Sequence, residues 1–275
     1  MMLHPGRKPG MLFAKETPMD AYHELAGSYD RLTNDVDYEA VVAFYNEILR
    51  REGIKPRTAA DLACGTGSVA LLLARQGLAV TAVDMSEEML TAAAQKAAGE
   101  ENPPVFACQM LQELRLPRGV DLAVCALDSL DYILDPNDCA EAIRRVYKAL
   151  NPGGIFIFDV NPPEKLRAMD GQVFLDEDDD VYCVWRGEFD ELTNICSYGM
   201  DLFQRRGDVW YRSFEEHREY AYSEEQLREY LKAAGFTNVE VYADRCFEKP
   251  REGEQRFYFK ARKGRINRVT IWSVA

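Results

Sequence analysis

The stretch TAADLACGTGSVALLLARQG, from Thr58 to Gly77, changes period at its two glycines. Residues 58–62 are short and apolar, as a buried strand is. Val69, Leu72, Leu73 and Gln76 then repeat at helical spacing behind a Ser68 cap. A strand that turns directly into a helix at Gly65-Thr-Gly67 removes the Cβ atoms that would keep a ligand off the backbone. The start of that helix offers free N–H groups to the same ligand.

Outward from this turn the alternation continues. Further strands are expected at 79–83, 104–109, 121–127 and 154–160. Ser86-Glu-Glu-Met-Leu opens a helix with acid at its positive end. Asn137 to Leu150 reads as another, with Val146 and Leu150 on its inner face, stopped by Asn151-Pro-Gly-Gly. Such βαβ order implies a parallel sheet with right-handed crossovers. Residues 172–221 break the pattern: aromatic and β-branched runs are separated by Asp-rich, Thr-Asn and Arg-Gly-Asp turns, which predicts an antiparallel insertion of three or four strands covering the active site. Ser223-Glu-Glu-Gln is a capping box for a helix ending at Gly235. Thr237–Ala243 and Gln255–Ala261 follow with no helix between them, so they are expected as an antiparallel pair at the sheet edge.

The expected fold is therefore α/β: a Rossmann-like, seven-stranded, mostly parallel sheet with an antiparallel C-terminal strand pair, plus an antiparallel β insertion after the fifth strand. Residues 19–171 and 222–262 form the main domain, 172–221 the insertion, 1–18 a disordered segment and 263–275 a tail.

Bulk composition narrows the function. A formal charge of −13 and a pI near 4.8 repel polyphosphates, so nucleic acid is not an expected partner. Seven cysteines, scattered and without CxxC or Cys/His ligand spacing, suit a reducing cytoplasm. No apolar run approaches the ~20 residues that span a bilayer, and the N-terminal MMLHPGRKPGMLF lacks the long apolar stretch expected of a signal peptide. The oligomeric state is expected to be monomer or homodimer.

The glycine loop carries two acids. Asp61 precedes the first glycine by four residues, and Asp84 ends the next strand, where a carboxylate can accept both hydroxyls of an adenosine ribose. Gly65-Thr-Gly67-Ser-Val-Ala70 also satisfies the GxGxxA form of a dinucleotide fold, so an NAD-dependent oxidoreductase is an alternative. Against it, a carboxylate at Asp61 repels a pyrophosphate and tolerates an ammonium or sulfonium. The bland alternative is that Asp61 caps the turn and Asp84 the next helix.

DLACGTGSVALLLARQG, VTAVDMSEEML and LNPGGIFIFDV together resemble the class I S-adenosylmethionine (SAM)-dependent methyltransferases, over about residues 58–262. Within that superfamily the chain is similar to small bacterial enzymes akin to sugar N-methyltransferases and glycine N-methyltransferase. The resemblance implies that Asp61, Ala63, Cys64, Gly65 and Gly67 surround the methionine part of SAM and Asp84 its ribose. Met85 would pack on the adenine, and the Leu127 backbone would meet the methionine amino group. Related sequences often carry Asp where this chain has Met110; Gln109 or a backbone carbonyl would take over its contact with the adenine amino group. The likeness around Ala21–Asp30 implies Tyr29 as a lid with a catalytic role, although Tyr22, Leu25, Tyr29 and Leu32 also share one helical face suited to plain packing.

Ligands of open α/β sheets lie beyond the strand carboxyl ends, which brings Asp128 and Asn161 forward as substrate-binding residues. His217 is the histidine outside the N-terminal region that could serve as a base and touch the acceptor; its alternative is a surface place between Glu216 and Arg218. No metal is expected. Asp128, Asp159 and Asn161 read as cap and turn residues, and Asp176–Asp180 lacks the spacing and glycine of a calcium loop. Asn161-Pro-Pro-Glu lacks the aromatic stacker of adenine-methylating DNA enzymes. The expected activity is methyl transfer from SAM to a small-molecule acceptor, nitrogen ahead of oxygen; a non-catalytic SAM-binding protein is the further alternative.

Overall fold

The computed structural model describes residues 36–177 and 179–265. Tyr29, the helical stripe around it, the first 18 residues and the end of the tail lie outside the described residues.

Helix α1 (Tyr38–Arg51) is capped by Asp37, whose carboxylate accepts from the Ala40 amide at 2.8 Å. Then follow β1 (Thr58–Leu62), α2 (Ser68–Arg75), β2 (Ala79–Asp84), α3 (Glu87–Lys96), β3 (Val105–Cys108), β4 (Val120–Cys125), α4 (Pro136–Ala149), β5 (Leu150–Val160) and the short α5 (Pro163–Ala168). A second run of strands, β6 (Val173–Glu177), β7 (Val181–Asp190), β8 (Ile195–Arg206) and β9 (Val209–Tyr220), precedes α6 (Glu224–Ala234), β10 (Phe236–Tyr242) and β11 (Phe257–Lys263).

The first sheet has the order β10-β11-β5-β4-β1-β2-β3. Chain direction reverses its sideways progress between β1 and β4, which makes their carboxyl ends the topological switch point. Apolar faces bury both sides. Val42, Tyr45 and Ile48 of α1 pack with Val69 and Leu73 of α2 against Leu122, Val124, Ile155 and Ile157. On the other face Ile143 and Val146 of α4 and Leu227 and Leu231 of α6 meet Leu62, Phe156, Phe158 and Phe259. Burying one such aliphatic side chain contributes about 1.5–3 kcal/mol, so these faces fix the strand register and with it the crevice.

Three local expectations are corrected. Ser68 is the first helical residue and not the cap: Gly67 holds the cap position at φ 78, with no side-chain capping bond. Asn151-Pro-Gly-Gly does not stop α4 from outside a strand; the helix ends at Ala149, and Leu150 already pairs with Val120 as the first residue of β5. The C-terminal pair is antiparallel and at the sheet edge, as expected; within it β11 pairs with β5 and is the reversed strand, and β10 is outermost. Lys263 belongs to β11 and not to a tail, its ammonium donating to the carbonyls of Tyr147 and Leu150.

The second sheet is antiparallel with order β6-β7-β8-β9. Leu166 and Met169 at α5 pack with Cys196, Tyr198 and Ala221 to seat its near half on the main sheet. The Tyr220 amide also donates to the Asp131 carbonyl at 2.7 Å, tying the end of β9 to the loop after β4.

Candidate active site

Two rims meet at the switch point. The first is formed by the ends of β1 and β2. Asp61 closes in on the crevice from β1 and is only 1% exposed. It accepts from the Ala70 amide, while no donor among the described residues reaches its Oδ2. Burial, with the Asp84 charge adding to it, pushes Asp61 up to about 8. A buried carboxylate oxygen of this kind is a vacancy for a cation. Ala63 and Gly65 both hold left-handed backbone, at φ 51 and 52, and a Cβ at Gly65 would meet nothing within 4 Å, so the loop leaves open space for a ligand. Gly67 is needed for packing as well as backbone, because a Cβ there would sit 3.1 Å from that of Ala93.

Asp84 accepts from the Gly65 amide at 2.8 Å through Oδ2 and from the Ser86 amide at 2.9 Å through Oδ1. Each carboxylate oxygen can accept twice, so both retain a lone pair for a diol. Burial holds its carboxyl above the usual range. The Cys64 thiol is pushed well up by burial and then by Asp61 and Asp84, which keeps it a packing group. The crevice between β1 and β4 is lined by Tyr38, Asp61, Ala63, Gly65, Leu127 and Ser129, among others.

The adenine end is less settled by side chains. Gln109 does not reach outward: its Oε1 accepts from the Arg115 amide at 2.9 Å and its Nε2 donates to the Arg115 carbonyl at 3.3 Å. Met110 receives Gln112 Nε2 at 3.6 Å on its sulfur. Met85 follows Asp84 directly, its carbonyl facing the Cys108 thiol at 3.4 Å.

The second rim joins the loop after β4, the end of β5, the end of β9 and the start of β11. Asp128 contacts Arg256 at 2.5 Å, and Arg256 also contacts Asp159. Asn161 is the hub of a buried network. Its amide donates to Asp131 Oδ2 at 2.8 Å, its side chain donates to Glu219 at 2.8 Å, and its carbonyl oxygen accepts from Lys165 at 2.7 Å. Burial, then the Asp128 charge, pushes Glu219 up to about 8. Burial and the Glu219 charge hold Asp131 well above the usual carboxylate range, and among the described residues nothing donates to its Oδ1.

His217 is not on the surface. Its side chain points inward from β9 at 2% exposure, with Nε2 3.3 Å from the Glu215 carboxylate. Its ring meets Tyr132 edge-on at 6.1 Å between centroids and Trp185 at 6.2 Å. Alternation explains the placement: Glu215, His217 and Glu219 share the face of β9 that turns toward Tyr132 and Asn161. Tyr38, Asp131, Glu219, Lys165 and Arg256 were not singled out by the sequence reading, and no local motif marks them. Among the described residues no group of three or more His, Cys, Asp or Glu side chains is arranged to hold a metal ion.

A family model described as a methyltransferase domain matches residues 59–154. The YqeM protein of Bacillus subtilis, a methyltransferase by its given name, is 33% identical over 248 residues, covering 89% of this chain and 98% of the relative. The crystal structure of an S-adenosylmethionine-dependent methyltransferase from Clostridium acetobutylicum aligns with a TM-score of 0.81 at 32% identity, over 88% of this chain and 99% of that one. The sugar N-methyltransferase KedS8 from Streptoalloteichus aligns at TM-score 0.74 over 95% and 99%; at 18% identity that likeness is one of fold.

Proposed function

The chain belongs to the S-adenosylmethionine-dependent methyltransferases, and from that premise we propose that it methylates a small-molecule amine held between the two rims. The dehydrogenase alternative falls with the family. The residues present suit the cofactor: the orphaned Asp61 oxygen fits its ammonium, the open Gly65 turn its methionine part, and the remaining Asp84 lone pairs its ribose diol. Bound SAM supplies an electrophilic methyl group carried on a sulfonium.

The protein's own share is binding, orientation and proton removal. Asp61, Ala63, Cys64, Gly65 and Gly67 would enclose the methionine part, Met85 and the backbone near Gln109 and Met110 the adenine, and Leu127 would present backbone to the ammonium. Tyr29 belongs to the same proposal by resemblance alone. Holding the acceptor in line with the methyl group is worth up to about 7–11 kcal/mol in well-oriented reactions. His217 is our choice for the group that accepts the acceptor's proton, with Asp128 and Asn161 on the acceptor's side of the crevice.

The observation that carries the amine is the excess of buried acid on the second rim. Asp131, Asp159 and Glu219 are buried and, with Asp128, crowd around Arg256 and Lys165, and Lys165 is itself pushed down by burial. A cation placed among these acids draws them into their charged form, which favours a methylated ammonium product and opposes formation of an alkoxide. The −13 charge of the chain supports a small acceptor over nucleic acid. No helix among the described residues is long and apolar enough to cross a membrane, and we read the protein as a cytoplasmic monomer or homodimer. Release of S-adenosylhomocysteine across matched panels of small amines and hydroxyl compounds tests the reading. Faster turnover of amines is expected, and a consistent preference for hydroxyls would overturn it.

A further inference from the structure

The loop after β4 has an unusual backbone. Leu127 and Asp128 are consecutive non-glycine residues in the left-handed region, at φ 56 and 51. A bulky side chain such as leucine rarely adopts this conformation, and it persists only when its surroundings enforce it. Here the enforcing group is identifiable. Asp159, at the end of β5, accepts from the Leu127 amide at 3.0 Å with one carboxylate oxygen and from the Asp128 amide at 3.1 Å with the other. Arg256 closes the arrangement by contacting both Asp159 and the Asp128 side chain. It can do so because Phe257, the first residue of β11, pairs with Val160, next to Asp159.

We propose that Asp159 and Arg256 are positioning residues for the cofactor: they hold Leu127 and Asp128 in the left-handed conformation that shapes the β4 wall of the crevice. Leu127 lines that crevice opposite Asp61 and Gly65. The first rim uses the same device. Asp84, at the end of β2, accepts from the amide of left-handed Gly65 in the loop after β1. The two strands flanking the switch point each end in a carboxylate that fixes the loop of their inner neighbour. In the β4 loop no glycine is available to accept the backbone cheaply, so the carboxylate and the guanidinium together replace it. Released from them, Leu127 and Asp128 would return to ordinary backbone, and the wall that Leu127 gives the crevice would change shape.

The inference rests on the family's cofactor and not on the nature of the acceptor. Calorimetry with S-adenosylhomocysteine, together with amide hydrogen exchange at Leu127 and Asp128, tests it in the full chain. Asp159→Asn should weaken binding by about tenfold or more and speed exchange at both amides. Leu127→Gly in the Asp159→Asn background should restore most of the affinity, because glycine takes the left-handed conformation without Asp159. A merely structural role of the carboxylate would leave that double variant as weak as the single one, and this result, or unchanged affinity in Asp159→Asn, would overturn the proposal. Should Asp159→Asn not fold, Asp128→Ala removes only the Arg256 arm. It should then weaken binding by about threefold and speed exchange at the Leu127 amide, and no change in either would count against the proposal.

Discussion

Asp84 and Asp159 are placed alike and equipped differently. Each ends a strand one step out from the switch point, each is buried, and each accepts two backbone amides. Asp159 is also clasped by Arg256, through the same Oδ2 that accepts the Asp128 amide. Among the described residues no cationic side chain pairs with Asp84, which leaves it acceptor capacity beyond the two amides. Under the function proposed above, a strand-end acid in this fold serves as ligand site or as scaffold according to whether a guanidinium reaches it. The same division runs through the two rims: the first holds acids without a cationic partner among the described residues, and the second pairs some of its acids with Arg256 and Lys165.

The largest effect that would sharpen this division is at His217. His217→Ala should lower kcat by about 100-fold or more, the lower range for losing a positioned proton acceptor, while S-adenosylhomocysteine affinity changes by less than about twofold. Loss of cofactor affinity in parallel would erase the distinction between the rims. Next comes Asp84→Ala, which should weaken SAM by about 1.5–3 kcal/mol, the range for hydrogen bonds to a charged group. An unaltered dissociation constant would place Asp84 with Asp159 as pure scaffold. Gly67→Ala should cost about 1–2 kcal/mol of stability, for forcing a Cβ into left-handed backbone and against Ala93. A melting temperature equal to that of the parent protein would show that the first loop relaxes more easily than its geometry implies.

The two rims also differ in how far the sequence discloses them. The first is contiguous: Asp61, Gly65, Gly67 and Asp84 lie within one βαβ unit, and local spacing alone puts them at one sheet edge. The second gathers residues 128, 131, 159, 219 and 256, whose proximity depends on β9 docking on the loop after β4 and β11 inserting beside β5. Nothing local in Arg256 or Glu219 announces either event. His217 shows the boundary case. Its strand was legible, but the face it presents depends on which side of the second sheet is covered, so the surface alternative could not be dismissed from spacing alone. The antiparallel edge pair was legible because no helix separates β10 from β11, whereas which of the two lies beside β5 is a tertiary preference.

The smallest predicted effect, about fivefold in affinity between pH 7 and 8, separates the rims by protons. Asp61 has an ordinary pKa near 3.8 and is pushed up to about 8 by burial and Asp84. Between those values the folded chain holds a proton that the unfolded chain has released, so this group lowers stability as pH rises from about 4 to 8. A cation arriving at Asp61 favours its charged form and drives the proton off. SAM affinity should therefore rise with pH, by up to about tenfold per unit below pH 8, and level off above it. Calorimetry at pH 7 in buffers of different ionisation enthalpy should detect close to one proton released per cofactor bound. In Asp61→Asn that release should vanish. Equal proton release in Asp61→Asn would assign the titration to the acids of the second rim and break the separation argued above.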